Sequence, residues 1–337
     1  MKKKYSLAVF FLLFLLLFTA CSSEETHRLP ASAPTEAVDD FPEHLRPYRI
    51  PWELDAVKVA KESKAIHYYF MSALGMEVDS EGEEPQKWGD ACLVVFPDGQ
   101  TMLIDSGVEA YGQILVENLH RLGIEKLDYI LFSHGHHDHC FGALTEGGVL
   151  DSFPVGKIYW TGVRNTSWED RYNIENTCQA RGIELQILHR DDILTFGEVS
   201  MEALWPMENA EYMSDMRIKN HNNQSMVVRF DYQEHSSLFS GDMYARGEKD
   251  LVTMSYDKLD VDLLKAAHHG QTTSNTEEFI NAVSPELAVA TGYVPISAKV
   301  QKRYAAVEAT LLYDMSHGYI HVWSNGEALQ FETSQMP

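Results

Sequence analysis

Short apolar runs separated by polar turns cover most of the chain from about residue 50 onward. Runs rich in β-branched and aromatic residues, bounded by turn residues, predict strands. These runs are residues 65–71, 91–96, 101–104, 127–132, 157–160, 183–188, 201–205, 226–230, 237–239, 262–264, 287–290, 319–323 and 328–331. Pro97-Asp98-Gly99-Gln100 and Asn325-Gly326 indicate hairpin turns between their neighbours. Many short strands with helices between them favour an α/β fold with two packed sheets and helices outside.

Two segments in the first half of the chain have a different periodicity. Residues 111–122 place Ile114, Leu115 and Leu119 on one face, which predicts an amphipathic helix. Residues 127–132 are nearly continuously apolar, as expected for a strand that is buried on both faces.

The N-terminus has the pattern of an exported bacterial lipoprotein. Three lysines at positions 2–4 precede an apolar run at 7–18, and small residues lead directly into Cys21. The run is shorter than the roughly 20 residues that a membrane span needs. The end of this segment resembles a lipobox, which implies cleavage before Cys21 and lipidation of its thiol. An uncleaved anchor is the alternative, and either one places the remaining chain outside the cytoplasmic membrane.

The sequence after Cys21 indicates a tether followed by one domain. Residues 22–47 are rich in Ser, Glu, Pro and Ala, which is typical of a flexible linker. We therefore predict a signal peptide in 1–20, a flexible tether in 21–47 and one globular domain in 48–337. Residues 77–84 are acidic and turn-rich, and they predict an exposed insertion in that domain.

Composition and charge limit the class of function. The chain has 45% hydrophobic and 23% charged residues, which is the usual composition of a globular protein. Its formal charge is −23, and it becomes −26 when the three leader lysines are removed. Such a surface repels polyanions, so nucleic acid is disfavoured as a partner, although a metal site could be locally cationic. Without Cys21 three cysteines remain, so at most one internal disulfide can form.

The strongest chemical signal is Ser-His-Gly-His-His-Asp-His at residues 133–139, directly after the predicted strand at 127–132. Imidazole and carboxylate are the usual protein ligands of zinc, iron and manganese. A loop at the end of a strand lets several of them converge on one point. This spacing favours a metal site over a surface histidine tract.

This motif and its neighbours resemble the metallo-β-lactamase-fold hydrolases. Within that superfamily, the chain is most similar to the hydrolase domain of ComEC-type DNA-uptake proteins, over roughly residues 65–332. The segments that carry the resemblance are residues 88–93, 101–107, 122–132, 133–142, 222–225, 238–242 and 264–270.

The resemblance implies a four-layer αββα sandwich with two divalent metal ions at one edge, between the sheets. Zinc is the expected metal, with manganese or iron as alternatives. The implied assignments are His134 and His136 for the first metal, Asp138, His139 and His268 for the second, Asp242 as the bridge, and Asp105 as the residue that orients the ligand loop. Asp138 or His269 could carry a proton. Which histidine of the 268–269 pair binds metal stays open.

The function implied is hydrolysis outside the membrane, by a hydroxide that bridges the two metals. The expected substrates are phosphodiester bonds of a small molecule or the cell envelope. An amide, lactone or thioester hydrolase and a non-catalytic binding lipoprotein are the alternatives. The chain departs from the ComEC pattern at the 77–84 insertion, at Gln271 in place of Ser, and at residues 293–296 in place of a His-Pro. The membrane portion of ComEC has no counterpart here, so DNA transport is not implied.

A third ligand for the first metal has three candidates between the main motif and Asp242. His189 lies in a polar turn, and His235 lies near a predicted hairpin tip. His221 precedes the strand that begins near Ser225 by four residues, as a comparable histidine does in glyoxalase-like relatives. We therefore predict His221 as the third ligand.

Overall fold

The computed structural model describes residues 41–71, 89–163, 172–208, 221–292 and 295–335. These residues belong to one compact unit. The predicted signal peptide, Cys21, the insertion at 77–84 and residues 293–294 lie outside the described residues. A 3₁₀ helix at Glu43–Tyr48 buries Leu45, so the folded part already includes residues just before position 48.

Within the described chain, eight strands form one sheet, called sheet A. They are β1 (Ile66–Phe70), β2 (Cys92–Val95), β3 (Thr101–Ile104), β4 (Leu127–Leu131), β5 (Val155–Trp160), β6 (Glu184–Ile187), β14 (Ile320–Ser324) and β15 (Leu329–Thr333). Their order is β15-β14-β1-β2-β3-β4-β5-β6. The strands from β15 to β3 pair antiparallel, whereas those from β3 to β6 pair parallel.

A second sheet, called sheet B, contains seven strands among the residues described. They are β7 (Ile193–Phe196), β8 (Val199–Trp205), β9 (Val227–Tyr232), β10 (His235–Phe239), β11 (Leu263–Lys265), β12 (Leu287–Ala290) and β13 (Thr310–Tyr313). Their order is β13-β12-β11-β10-β9-β8-β7, with parallel pairing from β13 to β10. Parallel strands bring their carboxyl ends to the same edge, and the loops after β3, β4, β10, β11 and β12 lie at such ends.

Helices cover the outer face of each sheet. They are α1 (Ala56–Ser63), α2 (Gly112–Arg121), α3 (His137–Leu144), α4 (Val149–Ser152), α5 (Ile174–Arg181), α6 (Ala245–Ser255), α7 (Glu277–Val283), α8 (Ala298–Ala306) and α9 (Asp314–His317). Several begin where the sequence offers a cap. The Asp55 carboxylate accepts a hydrogen bond from the Lys58 amide at 2.8 Å, and Thr276 and Ser297 cap α7 and α8 in the same way.

Alternating side chains along the strands divide the core into layers. Tyr68 and Phe70 of β1 point into an apolar layer between the sheets, where they meet Phe230 and Phe239 of sheet B. Tyr69, from the same strand, lies in the layer between sheet A and its helices. A third apolar layer joins sheet B to α6, α7 and α8. The order is therefore helix, sheet, sheet, helix, and the predicted α/β sandwich of four layers is confirmed.

Most predicted strands are present within one or two residues of their expected bounds, and three elements differ. Strands β7 and β13 were not predicted. The helix α3 begins inside the histidine motif, which had been expected to be a loop. The described part of the chain contains no helix with the length and apolarity that a membrane crossing requires.

Candidate metal centre

Two groups of buried ligand side chains meet at the edge where the carboxyl ends of the parallel strands converge. One group is His134, His136 and Asp242, and the other is Asp138, His139, Asp242 and His269. In each group the ligand atoms lie within 4.8 Å of one another. Because Asp242 belongs to both groups, the arrangement is that of two adjacent cation sites which share one carboxylate.

Sheet A supplies the ligands of the histidine motif. His134 and His136 lie between β4 and α3, whereas Asp138 and His139 belong to the first turn of α3. The Nε2 atom of His134 is 2.8 Å from Nδ1 of His136 and 3.9 Å from Oδ2 of Asp242. The Nε2 atom of His139 is 3.2 Å from the same Asp242 oxygen. One short segment therefore contributes to both sites.

Sheet B supplies the remaining ligands from the loops after β10 and β11. Asp242 follows the sharp turn at Gly241, whose φ is +51°; a Cβ there would lie 2.7 Å from the Cβ of Ser225. His268 and His269 have φ values of +46° and +55°, which are uncommon for residues other than glycine. This strained turn directs two successive histidines towards the centre.

The two histidines of that turn are not equivalent. The Nε2 atom of His269 is 3.4 Å from Oδ2 of Asp138 and 3.5 Å from Oδ2 of Asp242. The Nε2 atom of His268 is 3.9 Å from Asp242, and its Nδ1 is 2.5 Å from the hydroxyl of Thr273. The geometry therefore places His269 in the four-residue group, although the family resemblance had implied His268.

His221 lies beside the first group. Its ring centroid is 5.7 Å from that of His136, and its side chain is buried. His189 and His235, the other two candidates, are in neither ligand group; His235 instead lies 3.3 Å from the Tyr68 hydroxyl.

Asp105 fixes the orientation of the ligand segment. One carboxylate oxygen accepts a hydrogen bond from the Ser133 amide at 2.7 Å. The other is 2.7 Å from the Ser133 hydroxyl and 2.8 Å from Nδ1 of His139. Because this carboxylate holds Nδ1, the Nε2 atom of His139 is directed at Asp242.

Four side chains of the centre, His134, His136, His221 and Asp242, have pKa values shifted towards their metal-binding forms, whereas, against the effect of burial, Asp242 raises the pKa of His139 and His269. Burial lowers the pKa of His134, His136 and His221, and that of His136 falls to about 4. These rings are therefore neutral at neutral pH, which metal coordination requires. Burial opposes ionisation of Asp242, but His269 and His139 outweigh it and hold the pKa of that carboxyl well below its usual value.

Buried polar atoms without a hydrogen-bond partner indicate whether the ligand residues of this centre suit metal ions. Within the described chain, these atoms include Nε2 of His139, Nε2 of His221 and Oδ1 of Asp242. Burying a polar atom without a partner is costly, so native proteins rarely tolerate several in one place. Cations at the two groups would satisfy the atoms of His139 and Asp242, which belong to those groups, and the residues present therefore fit a metal pair.

Sequence reasoning gave no role to two buried charges next to the centre, Asp90 and Lys265. The ammonium of Lys265 is 2.6 Å from Oδ2 of Asp90. A lysine in the short apolar strand β11, three residues before His268, was the available signal. The Asp90 partner lies far away in sequence, so the pair itself was not visible.

Comparison with known proteins agrees with the fold. Residues 88–159 match the family described as metallo-beta-lactamase superfamily. The competence protein ComA of Neisseria gonorrhoeae is 28% identical over 57% of this chain and 24% of its own length. ComE operon protein 3 of Bacillus subtilis is 25% identical over 57% of this chain and 22% of its own length. The chain thus spans about a quarter of the length of these relatives.

The solved structures that resemble this chain are more distant in sequence. The metallo-β-lactamase fold protein YhfI from Bacillus subtilis is 13% identical, with a TM-score of 0.45 over 74% of this chain and 95% of that one. The metal-dependent hydrolase Tm1679 is also 13% identical, with a TM-score of 0.46 and the same coverage of both chains. The chain is thus similar to the metallo-beta-lactamase superfamily over residues 88–159, and to the ComEC-type competence proteins over 57% of its length.

Proposed function

We propose that this protein is a hydrolase with two metal ions that cleaves phosphodiester bonds outside the cytoplasmic membrane. The observation that carries the proposal is Asp242, whose carboxylate belongs to both ligand groups. Two cations that share a carboxylate can activate water and stabilise the charge that develops on a phosphoryl or carbonyl group.

The proposed ligands differ in one position from those implied by resemblance. His134, His136 and His221 with Asp242 would hold one cation. Asp138, His139 and His269 with Asp242 would hold the other, because His269 lies nearer to Asp138 and Asp242 than His268 does. Zinc suits this mixture of imidazole and carboxylate, and manganese and iron remain alternatives.

The chain's own residues would orient and supply the reacting groups. Asp105 holds the ring of His139 through Nδ1, and Asp138 presents its Oδ2 atom next to His269. His268 lies at the rim with its Nδ1 against Thr273, where a substrate oxygen could meet the hydroxyl. Thr273 is not the cap of the next helix, because Thr276, three residues later, fills that role.

Phosphodiesters are proposed as substrates because of the likeness to ComEC-type proteins. Two relatives are named for competence and recombination, so nucleic-acid phosphodiesters are one candidate substrate. The formal charge of −23 argues for a small or cell-envelope substrate instead, since a strongly acidic surface repels a polyanion. Amide, lactone and thioester bonds are the second class, because the same metals can activate water against a carbonyl.

A direct test compares three chromogenic or titratable substrates with the same zinc-loaded protein: a bis-aryl phosphodiester, a β-lactam and a lactone. We expect the phosphodiester to be hydrolysed fastest, and the activity to disappear with a chelator and return with zinc. Preference for the lactam or lactone would favour the second class. Absence of turnover on all three, with two metals bound, would contradict the phosphodiester proposal and favour the non-catalytic alternative.

The location is proposed from the N-terminal sequence alone. Cys21 would carry the lipid that anchors the domain, with no further membrane contact. The test is metabolic labelling with a fatty-acid analogue, for which we expect incorporation in the parent and none in Cys21→Ser. Labelling of Cys21→Ser at the level of the parent would contradict the anchor.

A further inference from the structure

A buried ion pair lies directly behind the metal ligands. The ammonium of Lys265 contacts Oδ2 of Asp90 at 2.6 Å, and both side chains are at least 93% buried. The same ammonium donates a hydrogen bond to the Ala266 carbonyl at 3.1 Å. A lysine is almost never buried to this degree unless its charge has a specific partner. The pair therefore needs an explanation in terms of its neighbours.

Asp90 contacts the rear of two ligand histidines. Its Oδ1 atom is 3.6 Å from Nδ1 of His269, and its Oδ2 atom is 3.9 Å from Nδ1 of His139. The hydroxyl of Thr291 donates a hydrogen bond to Oδ1. Both histidines direct their opposite nitrogen, Nε2, at Asp242. Asp90 thus places a negative charge behind both rings, while Asp105 holds Nδ1 of His139 by a hydrogen bond.

Asp90 also lies close to a second buried carboxylate. Ligand atoms of Asp90, Asp105 and His139 lie within 4.8 Å of one another. Two buried carboxylates at this separation repel each other unless a positive charge lies between or beside them. The Lys265 ammonium is that charge: it contacts Asp90 at 2.6 Å and also attracts the charges of Asp242 and, more weakly, Asp105. The Lys265 ammonium therefore supplies the positive charge that a further bound cation would supply in this cluster.

The pair also connects the two halves of the sandwich. The Asp90 amide donates to the Asp138 carbonyl at 2.9 Å, and its carbonyl accepts from Gly107 at 2.8 Å, so Asp90 is fixed to the sheet A side. Lys265 is the last residue of β11, held between Phe239 of β10 and Val289 of β12 in sheet B. Metal ligands come from both sheets, and the ion pair spans the gap between them.

We propose that Lys265 is an internal cation which, through Asp90, sets the position of His139 and His269 and the spacing between the ligands of sheet A and sheet B. Lys265 is a positioning residue that acts through Asp90, which it contacts at 2.6 Å. The inference rests on the proposed two-metal centre. It predicts that loss of the ammonium alters the second metal site while the first, built from His134 and His136, changes less.

The test replaces Lys265 by Met in the full chain, which keeps an unbranched side chain one atom shorter and removes its charge. Lys258→Met is the matched control, because Lys258 forms an ion pair with Glu202 at the surface and 42% of its side chain is exposed. The readouts are zinc affinity by competition with a chromophoric chelator and the visible absorption spectrum of the cobalt-substituted protein. Circular dichroism verifies that each variant is folded.

We expect Lys265→Met to weaken the binding of one of two metals by about 10–100-fold, the usual effect of losing a group that supports a ligand. Its cobalt spectrum should shift, since ligand geometry determines that spectrum. Lys258→Met should match the parent in both readouts. A folded Lys265→Met protein with parental affinities and spectrum would overturn the proposal.

A second variant covers the case in which Lys265→Met leaves Asp90 unpaired and does not fold. The double variant Lys265→Met/Asp90→Asn removes both charges, which buried sites tolerate better than one charge alone. It should still lose affinity for one metal, because the negative charge behind the two histidines is gone. Parental affinity in the folded double variant would overturn the proposal. If the parent protein bound no metal, that result would contradict the proposed function itself. Metal binding by the parent is measured before any variant is made, so the two failures can be told apart.

Discussion

Single residues decide the chemistry of this protein, and Asp242 has the largest effect. Its carboxylate is shared by both ligand groups, so its removal takes a ligand from each site at once. It would also offset the charge of two closely spaced cations, which would otherwise repel each other strongly.

Replacement of Asp242 by Ala should therefore lower metal content to below about one ion per chain and reduce hydrolysis by more than about 100-fold, because even supporting residues account for 10–100-fold. Metal content by elemental analysis and turnover of the phosphodiester are the measurements. Asp231→Ala is the control, since Asp231 pairs with Arg229 on a partly exposed strand. Retention of both metals and full activity in Asp242→Ala would show that the carboxylate is no bridge.

The third ligand of the first metal is a second residue-scale prediction. His221 is buried next to His136, and its Nε2 atom has no hydrogen-bond partner among the described residues. His221→Ala should lose one metal preferentially, with activity reduced more than about tenfold. His189→Ala, in a partly exposed turn, should behave as the parent. Unchanged metal stoichiometry in His221→Ala would remove this residue from the ligand set.

The histidine pair at 268–269 gives a third contrast. His269 lies in the four-residue ligand group, whereas His268 contacts Thr273. His269→Ala should lower metal content, and His268→Ala should keep both metals while hydrolysis slows. Elemental analysis of the two variants side by side separates these roles. Metal loss in His268→Ala alone would restore the assignment implied by the family resemblance.

The sequence predicted these ligand residues because many of them are close together in the chain. Five potential ligands occur within residues 134–139, and the Gly-Asp and His-His-Gly segments follow at recognisable positions. The choice between His268 and His269 was not available, because it depends on two successive left-handed backbone conformations. The Asp90–Lys265 pair was missed for a related reason: only the folded chain brings the two together.

At the scale of elements, local pattern predicted the strands that are bounded by clear turns. Strand β3 has the expected bounds because Pro97-Asp98-Gly99-Gln100 ends the run before it. Strand β7 was missed since Ile193 is exposed and the strand is at the edge of sheet B. The start of α3 was missed because its first turn consists of ligand residues rather than helix-forming ones.

The pairing of β1 with β14 contains a prediction that is independent of metal. Nδ1 of His67 is 2.9 Å from Nε2 of His321, whose Nδ1 is 2.9 Å from the Glu332 carboxylate. Burial, and to a smaller extent His321, lowers the pKa of His67 to about 3, whereas its usual value is 6.5. Below pH 6.5 the unfolded chain therefore binds a proton that the folded chain does not, and stability falls as the pH decreases towards 3.

His67→Gln should make the protein less sensitive to acid. Between pH 6.5 and pH 5 the parent should lose about 2 kcal/mol more unfolding free energy than the variant, at about 1.4 kcal/mol per pH unit. Urea unfolding of the metal-free proteins at the two pH values measures this difference. Equal losses in both proteins would contradict a neutral, buried His67.

At the scale of the whole molecule, the two sheets act as two halves of one centre. Sheet A contributes the histidine motif, and sheet B contributes Asp242 and the 268–269 turn. The layered architecture followed from the sequence because many short strands with interspersed helices have few other packings. The sequence did not predict how the two sheets are positioned relative to each other. The contacts that fix this position, Asp90 with Lys265 and Asp90 with Thr291, join segments that are distant in sequence.

The central claim is that these halves enclose a pair of metal ions, and elemental analysis of the purified protein tests it most directly. We predict about two transition-metal ions per chain, mainly zinc, as two-metal hydrolase sites contain. Preparations from cells grown with and without added zinc should agree once the sites are filled. Less than about half an ion per chain, even after growth with added zinc, would contradict the two-metal centre.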